Sequence, residues 1–258
     1  MRAVLAAIMV CCVVGVVRAE PFRTLLVTDN QVLDVEQYEA GARVEHNISG
    51  LSLGEANTNR LTDVEITSFV PFVRYGFCEN VMIYGELPVR YSNSDVMDLD
   101  DVGPGDVKLG ATLQADKGRE SNCAIMSTAE VTLPLGDSHK LHGSGDMGFK
   151  LGLAFGIYLE PETLVILEGR YTFVLDGSGV LEYGAGIVYE VSPRLWLNLE
   201  AQGTDQELEG SMPAVAVAGM TYDGVCAVKG LSLSWSAGVG LSGASPDGLG
   251  SLNMAYRF

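Results

Sequence analysis

The feature that most limits what this chain can become is an alternation of apolar with small or polar residues at a period of two. From Met147 to Ile157 every odd position is apolar (Met147, Phe149, Leu151, Leu153, Phe155, Ile157), while the even positions carry Gly148, Lys150, Gly152, Ala154 and Gly156. From Leu231 to Ser242 the pattern recurs, with Leu231, Leu233, Trp235, Ala237, Val239 and Leu241 on one side and serine or glycine on the other. Successive side chains of a strand point to opposite faces, so these are strands with two unlike faces, and no 3.6-residue helical stripe fits them. Similar segments run at 36–49, 62–76, 81–92, 105–116, 122–134, 163–175, 180–190, 194–203, 213–223 and 248–258. Together they give about twelve strands in a meander, an all-β chain.

The junctions between these segments alternate in length. After even-numbered strands they are short, at 78–80, 117–121, 160–162, 192–193 and 224–229. After odd-numbered strands they are longer, at 50–60, 93–104, 135–145 and 204–212, with 176–179 the brief exception. Short turns at one rim and longer loops at the other are the layout of a membrane barrel. Alternation alone does not say which face is wet, and a secreted soluble β-sandwich is the competing reading. Twelve strands, however, enclose a lumen too wide for Leu and Phe to fill, and an unfilled apolar cavity is unstable. Turning Leu, Phe and Val toward lipid, with Gly, Ser and charges toward the lumen, satisfies both faces and leaves no open edge. The expectation is a transmembrane antiparallel up-and-down β-barrel of about twelve strands over residues 36–258.

The amino terminus reads as a targeting segment. Arg2 precedes an apolar run from Ala3 to Val17, and Val17-Arg18-Ala19 has small residues where a secretory cleavage site needs them. Residues 1–19 are therefore a signal peptide, too short an apolar run to cross about 30 Å of hydrocarbon as a helix. Residues 20–35 are left as a periplasmic N-terminal segment or a plug for the lumen. With 33 acidic against 16 basic residues the chain has a formal charge of -17, which repels phosphate backbones and sets nucleic acid aside as a partner. Beyond the leader stand Cys78, Cys123 and Cys226, an odd number that cannot be a complete disulfide framework. All three fall near the short-turn rim, and a bridge, if one forms, is expected between Cys78 and Cys123, provided their Cα atoms come within about 7 Å.

The last strand places Leu252, Met254, Tyr256 and Phe258 on one face. This resembles the carboxy-terminal signal that bacterial outer-membrane barrels present to their assembly machinery, with Tyr256 and Phe258 as its residues. The runs FVRYGFCENVMIYGELPVRY, GPGDVKLGATLQ and EVTLPLGDSHKLHGSGDMGFKLGLAF also resemble the outer-membrane family named after the meta-cleavage pathway of phenol degradation. Tyr75-Gly76, Leu87-Pro88, Gly105-Asp106 and Leu133-Pro134 through Gly136 match that family's order of motifs, over roughly residues 60–258. The resemblance implies a transporter-like barrel of about twelve strands in the outer membrane of a Gram-negative-type bacterium, moving small, often hydrophobic or aromatic, compounds. Its partners would be outer-membrane lipids, the barrel assembly machinery and a small-molecule permeant.

Strand parity assigns Glu86, Arg90, Asp106, Lys108, Glu130, Lys150, Glu168, Arg170, Glu182 and Glu200 to the lumen. Both signs occur on neighbouring strands, so cross-strand pairs can tie the wall together. The sharper reading is a permeation constriction, in which fixed charge selects among permeants. The Gly and Ser faces of the sixth and eleventh strands leave space beside this cluster for a solute path or a plug. Asp95, Asp98, Asp100, Asp101 and Asp106 make the preceding loop acidic, without the spacing of a calcium-binding loop. His139 and His142 lie in the next long loop, read as a polar external one, with no third ligand to complete a metal set. No cofactor or metal and no enzymatic activity are expected. Two alternatives stand beside the channel: a closed structural barrel, and a membrane-embedded lipid hydrolase for which Ser144 and His142 are the best candidate dyad.

Overall fold

The computed structural model describes residues 32–50, 63–94, 99–117, 123–175, 179–205, 214–225, 228–242, 245 and 247–258. The expected signal peptide, residues 20–31, Asp95, Asp98 and Cys226 lie outside them. The strands are β1 (Tyr38–Gly50), β2 (Asp63–Cys78), β3 (Val81–Glu86), β4 (Val89–Ser94), β5 (Leu99–Pro104), β6 (Val107–Lys117) and β7 (Cys123–Leu133). After a 3-10 turn at Ser138–Lys140 follow β8 (Gly148–Glu160), β9 (Thr163–Val174), β10 (Val180–Ser192), β11 (Leu195–Thr204), β12 (Ala214–Asp223), β13 (Leu231–Gly240) and β14 (Gly248–Arg257).

All fourteen belong to one antiparallel sheet, and β1 pairs with both β2 and β14, so the sheet closes on itself. That closure excludes the two-sheet sandwich. Both β3 and β4 pair with β2, while β4 also pairs with β5 and β3 with β6. β3–β4 and β5–β6 are thus two interrupted staves, and among the described residues the wall has twelve staves. Between the Val89↔Pro104 and Glu86↔Lys108 pairs one stave advances three residues and the other four. The extra residue is a bulge at Gly105-Asp106, which bends the stave and changes which parity faces inward.

The expected loop at 93–104 is corrected here, because β5 occupies its second half and pairs with β4 from Val89↔Pro104 to Ser94↔Leu99. Its sequence, LDDVGP, has no two-faced alternation, and tertiary pairing overrides that weak local preference.

The outer face is the apolar one. Leu153 and Leu199 are each 60% exposed and Leu252 is 50% exposed. A continuous aliphatic surface of this kind needs hydrocarbon as its solvent. Exposed aromatics flank it, with Tyr38, Phe77, Tyr189 and Tyr222 toward the end that holds Phe258 and the short turns. Tyr91, Phe149, Phe173 and Tyr183 sit toward the long-loop end, completing the two aromatic girdles of a transmembrane barrel.

The closing seam is fastened at the terminal residue. Phe258 N donates to the Tyr38 carbonyl and Tyr38 N to the Phe258 carbonyl, both at 2.9 Å. The Phe258 ring stacks on Tyr38 and Tyr256, each with centroids 5.9 Å apart. Cys78 on β2 and Cys123 on β7 are not joined to each other. The staves of β3 and β6 stand between their strands, so about 14 Å of sheet separates them, twice a disulfide's reach.

Candidate functional site: the charged lumen

Toward the short-turn end the inner face is apolar, with Ala154, Leu164, Ile166, Val188 and Trp196 packed together against Met126 and Tyr158. Space expected beside the sixth sequence strand, now β8, is filled at Gly156 but kept at Gly152, which lines the cavity described below. A Cβ on Gly156 would lie 3.0 Å from Leu164 Cδ1, and one on Gly152 would lie 3.3 Å from Arg170 Cγ. On the opposite wall the serines of β13 are buried in hydrogen bonds. Thr221 donates to Ser234 at 3.0 Å, and the Ser236 and Ser251 hydroxyls are 2.8 Å apart.

Above this dry floor lies a girdle of charge, built by strand register. Arg257, Glu39, Arg74, Tyr84, Gly110, Glu130 and Lys150 are successive partners across seven strands. Glu39, 1% exposed, accepts from Arg74 Nη1 and from Arg257 Nη2, each at 3.0 Å. Tyr84 reaches past its immediate neighbour and donates its hydroxyl to Glu130 Oε2 at 2.9 Å. It can do so because that neighbour is Gly110, where any Cβ would overlap the Tyr84 ring. Lys150 Nζ meets Glu182 Oε2 at 2.8 Å, and Arg170 grips Glu168 through Nε and Nη2 at 2.5 and 2.9 Å. Arg43 bridges Glu45 at 2.6 Å and Glu86 at 3.4 Å.

All of these side chains except Glu39 and Arg257 surround a cavity of about 220 Å³. Of the charged residues assigned by parity, Glu86, Lys108, Glu130, Lys150, Glu168, Arg170 and Glu182 line it together. Glu200 faces the lumen elsewhere, 2% exposed and accepting from Asn198 Nδ2 at 2.6 Å. Arg90 stands nearer the mouth, opposite Ser68 and Gly103, with a buried Nε that has no hydrogen-bond partner. Arg43, Glu45, Arg74, Tyr84 and Gln202, which are not among the lumen residues expected from the sequence, line the same cavity. The alternation of the first two strands marks Arg43, Glu45 and Arg74 as inward, which was the available signal.

Asp106 has another task. Its carboxylate, 5% exposed, accepts from Gly136 N at 3.0 Å, Ser144 N at 2.6 Å and Ser144 Oγ at 2.8 Å, holding the 134–147 loop against the mouth. His142 is 2% exposed on Gly103, correcting the expectation of a simply polar external loop. Its Nε2 lies 3.4 Å from the Asp101 carbonyl, while Ser144 Oγ is bound to Asp106 and to the Asp146 carbonyl at 3.0 Å. The dyad proposed for a hydrolase is therefore not assembled. On the same loop Lys140 Nζ contacts Asp101 Oδ2 at 2.5 Å. Its ammonium, helped by the Val102 amide, holds the Asp101 carboxyl below the ordinary carboxylate range, and Asp101 holds Lys140 above the ordinary lysine value. Among the described residues no group of three or more His, Cys, Asp or Glu could hold a metal ion.

A closed cylinder with an apolar girdled exterior and a charged interior is a β-barrel of the outer-membrane type. Solved structures agree on the fold. The COG4313 outer membrane channel from Pseudomonas putida F1 is similar at a TM-score of 0.69 and 18% identity, over 88% of this chain and 97% of that one. The KdgM porin matches at 0.57 and 10%, over 85% and 99%. The translocator domain of the autotransporter NalP from Neisseria meningitidis matches at 0.52 and 11%, over 90% and 91%. No protein family matches this chain, and no curated protein does.

Proposed function

We propose that the chain is an outer-membrane channel that passes small solutes through the charged girdle of its lumen. The observation that carries this reading is the cavity between Arg43, Glu86, Glu130, Lys150 and Arg170, charges of both signs facing water inside a wall whose outside faces lipid. Fixed charges at a constriction act on a permeant by electrostatics, and a girdle of both signs offers a polar solute an exchange of partners instead of bare repulsion.

The apolar floor around Trp196 and the resemblance of Tyr75-Gly76, Leu87-Pro88, Gly105-Asp106 and Leu133-Pro134 to motifs of the meta-cleavage family support hydrophobic or aromatic compounds as permeants. On this reading the partners are outer-membrane lipids around the aromatic girdles and the assembly machinery at Phe258. No catalytic step is assigned, since Ser144 is committed to Asp106.

The test is conductance of the purified protein in planar bilayers, with charged and aromatic solutes as additions. The expected result is a small conductance whose ion selectivity shifts when Glu130→Gln or Lys150→Gln is introduced. Conductance indifferent to both substitutions would remove the girdle from the permeation path.

A further inference from the structure

The chain enters the barrel wall by way of its interior. Glu36 N donates to the Gly76 carbonyl and Gly76 N to the Gln37 carbonyl, each at 2.9 Å, so residues 36–37 extend the ladder beside the end of β2. Glu36 has φ of 62°, and Gln37 N closes back on the Asp34 carbonyl at 3.0 Å, which reverses the chain direction. The reversal passes over the inner face of Gly76, where a Cβ would collide with the Asp34 carbonyl. Val32 and Leu33, 4% and 1% exposed, then lie on Met82, itself fully buried, and on Tyr84. Met82 and Tyr84 point into the lumen from β3, and Tyr84 belongs to the charge girdle.

The lumen floor is therefore sealed in part by the chain's own Val32 and Leu33, held by side-chain burial and one turn instead of by a strand ladder. We propose that residues 32–35, hinged on the ladder residues 36–37, are an autoinhibitory strap. Passage requires Val32 and Leu33 to leave Met82, and the vacated niche receives the apolar part of a permeant whose polar part reaches Tyr84 and Glu130. This rests on the channel reading. It adds that the permeant is amphipathic and competes with the strap.

The mature full-length chain, with Cys78, Cys123 and Cys226 replaced by Ser, carries the test. A Met82→Cys reporter is exposed to a water-soluble maleimide in the folded protein, with heat-modifiable migration confirming the fold. Adding Leu33→Asn should raise its labelling rate about tenfold, as expected when one buried leucine is lost. Gly76→Ala should do likewise, by pushing the strap off its seat without changing any strap residue. A Leu33→Cys and Met82→Cys pair, once oxidised, should lower bilayer conductance, and reduction should restore it. Labelling unchanged by both Leu33→Asn and Gly76→Ala overturns the strap. Accelerated labelling with no conductance in any form upholds the strap's seat and overturns the channel.

Discussion

The Tyr84 ring lies over Gly110 to reach Glu130. Gly110→Ala puts a methyl group inside that ring, so the ring must swing away. Overpacking costs about 1–3 kcal/mol, and breaking a hydrogen bond to a charged group costs about 1.5–3 kcal/mol. Replacing a strand glycine by alanine returns about 0.5–1 kcal/mol, leaving a net loss of roughly 2–5 kcal/mol. The same substitution made in a Tyr84→Ala background meets no ring and should change sign, stabilising by about 0.5–1 kcal/mol. Urea unfolding of the four proteins of this cycle in lipid vesicles measures both numbers. If the two substitutions are additive within about 0.5 kcal/mol, Tyr84 does not cross Gly110 and the register argument for the girdle fails.

Glu39→Gln leaves Arg74 and Arg257 without their shared carboxylate at the β14–β1–β2 seam, and should cost about 3–5 kcal/mol, read as earlier loss of the folded band on heating in detergent gels. Asp106→Asn cannot accept from Gly136 and Ser144 at once, so protease cleavage within 134–147 should accelerate while the barrel band persists. The Lys140–Asp101 contact is exposed and screened by salt. Because Asp101 is depressed, its contribution is present above about pH 4 and lost as pH falls through the lowered value. Because Lys140 is raised, its contribution is present below about pH 10 and lost only as pH climbs through the raised value. Hydrogen exchange at Lys140 should thus be flat from about pH 5 to 9 once corrected for intrinsic rate, and rise below about pH 4.

The wall was legible because two solvents act on it. Lipid outside and water inside force a period of two on every stave, and this marked Leu153, Leu199 and Leu252 as outward and Glu130, Lys150 and Glu182 as inward. What alternation does not carry is register, the quantity that sets Tyr84 beside Gly110 and Glu39 between two arginines. Register depends on turn lengths and on irregularities such as the bulge at Gly105-Asp106, after which inward parity switches from odd in β5 to even in β6. Alternation also does not carry the loop contacts at the mouth, which commit Asp106 to Gly136 and Ser144 and bury His142 on Gly103. The family-like motifs mark these departures: Leu87-Pro88 and Gly105-Asp106 interrupt two neighbouring staves, and Gly76 lies beneath the strap.

The girdle and the strap together fix what opening has to accomplish. A lumen whose carboxylates are held by Arg74, Arg257, Tyr84, Lys150 and Arg170 presents little unsatisfied charge, so an incoming ion gains little by entering and no single group draws it through. Removing Glu39 leaves Arg74 and Arg257 buried and unpaired, whereas the partly exposed Lys150–Glu182 pair is open to exchange with a solute that supplies the missing group. An apolar solute faces the opposite problem, since it crosses the girdle at the cost of desolvating it and meets Val32 and Leu33 below. A molecule with one polar end and one apolar end relieves both, replacing a girdle partner at Tyr84 and Glu130 while its apolar end takes the seat of Leu33 on Met82. The steepest dependence of flux on solute structure should therefore appear between an aromatic acid or alcohol and the parent hydrocarbon of the same ring. Equal flux of the two through liposomes carrying the protein would separate the girdle from the floor and leave the strap without a ligand to compete with it.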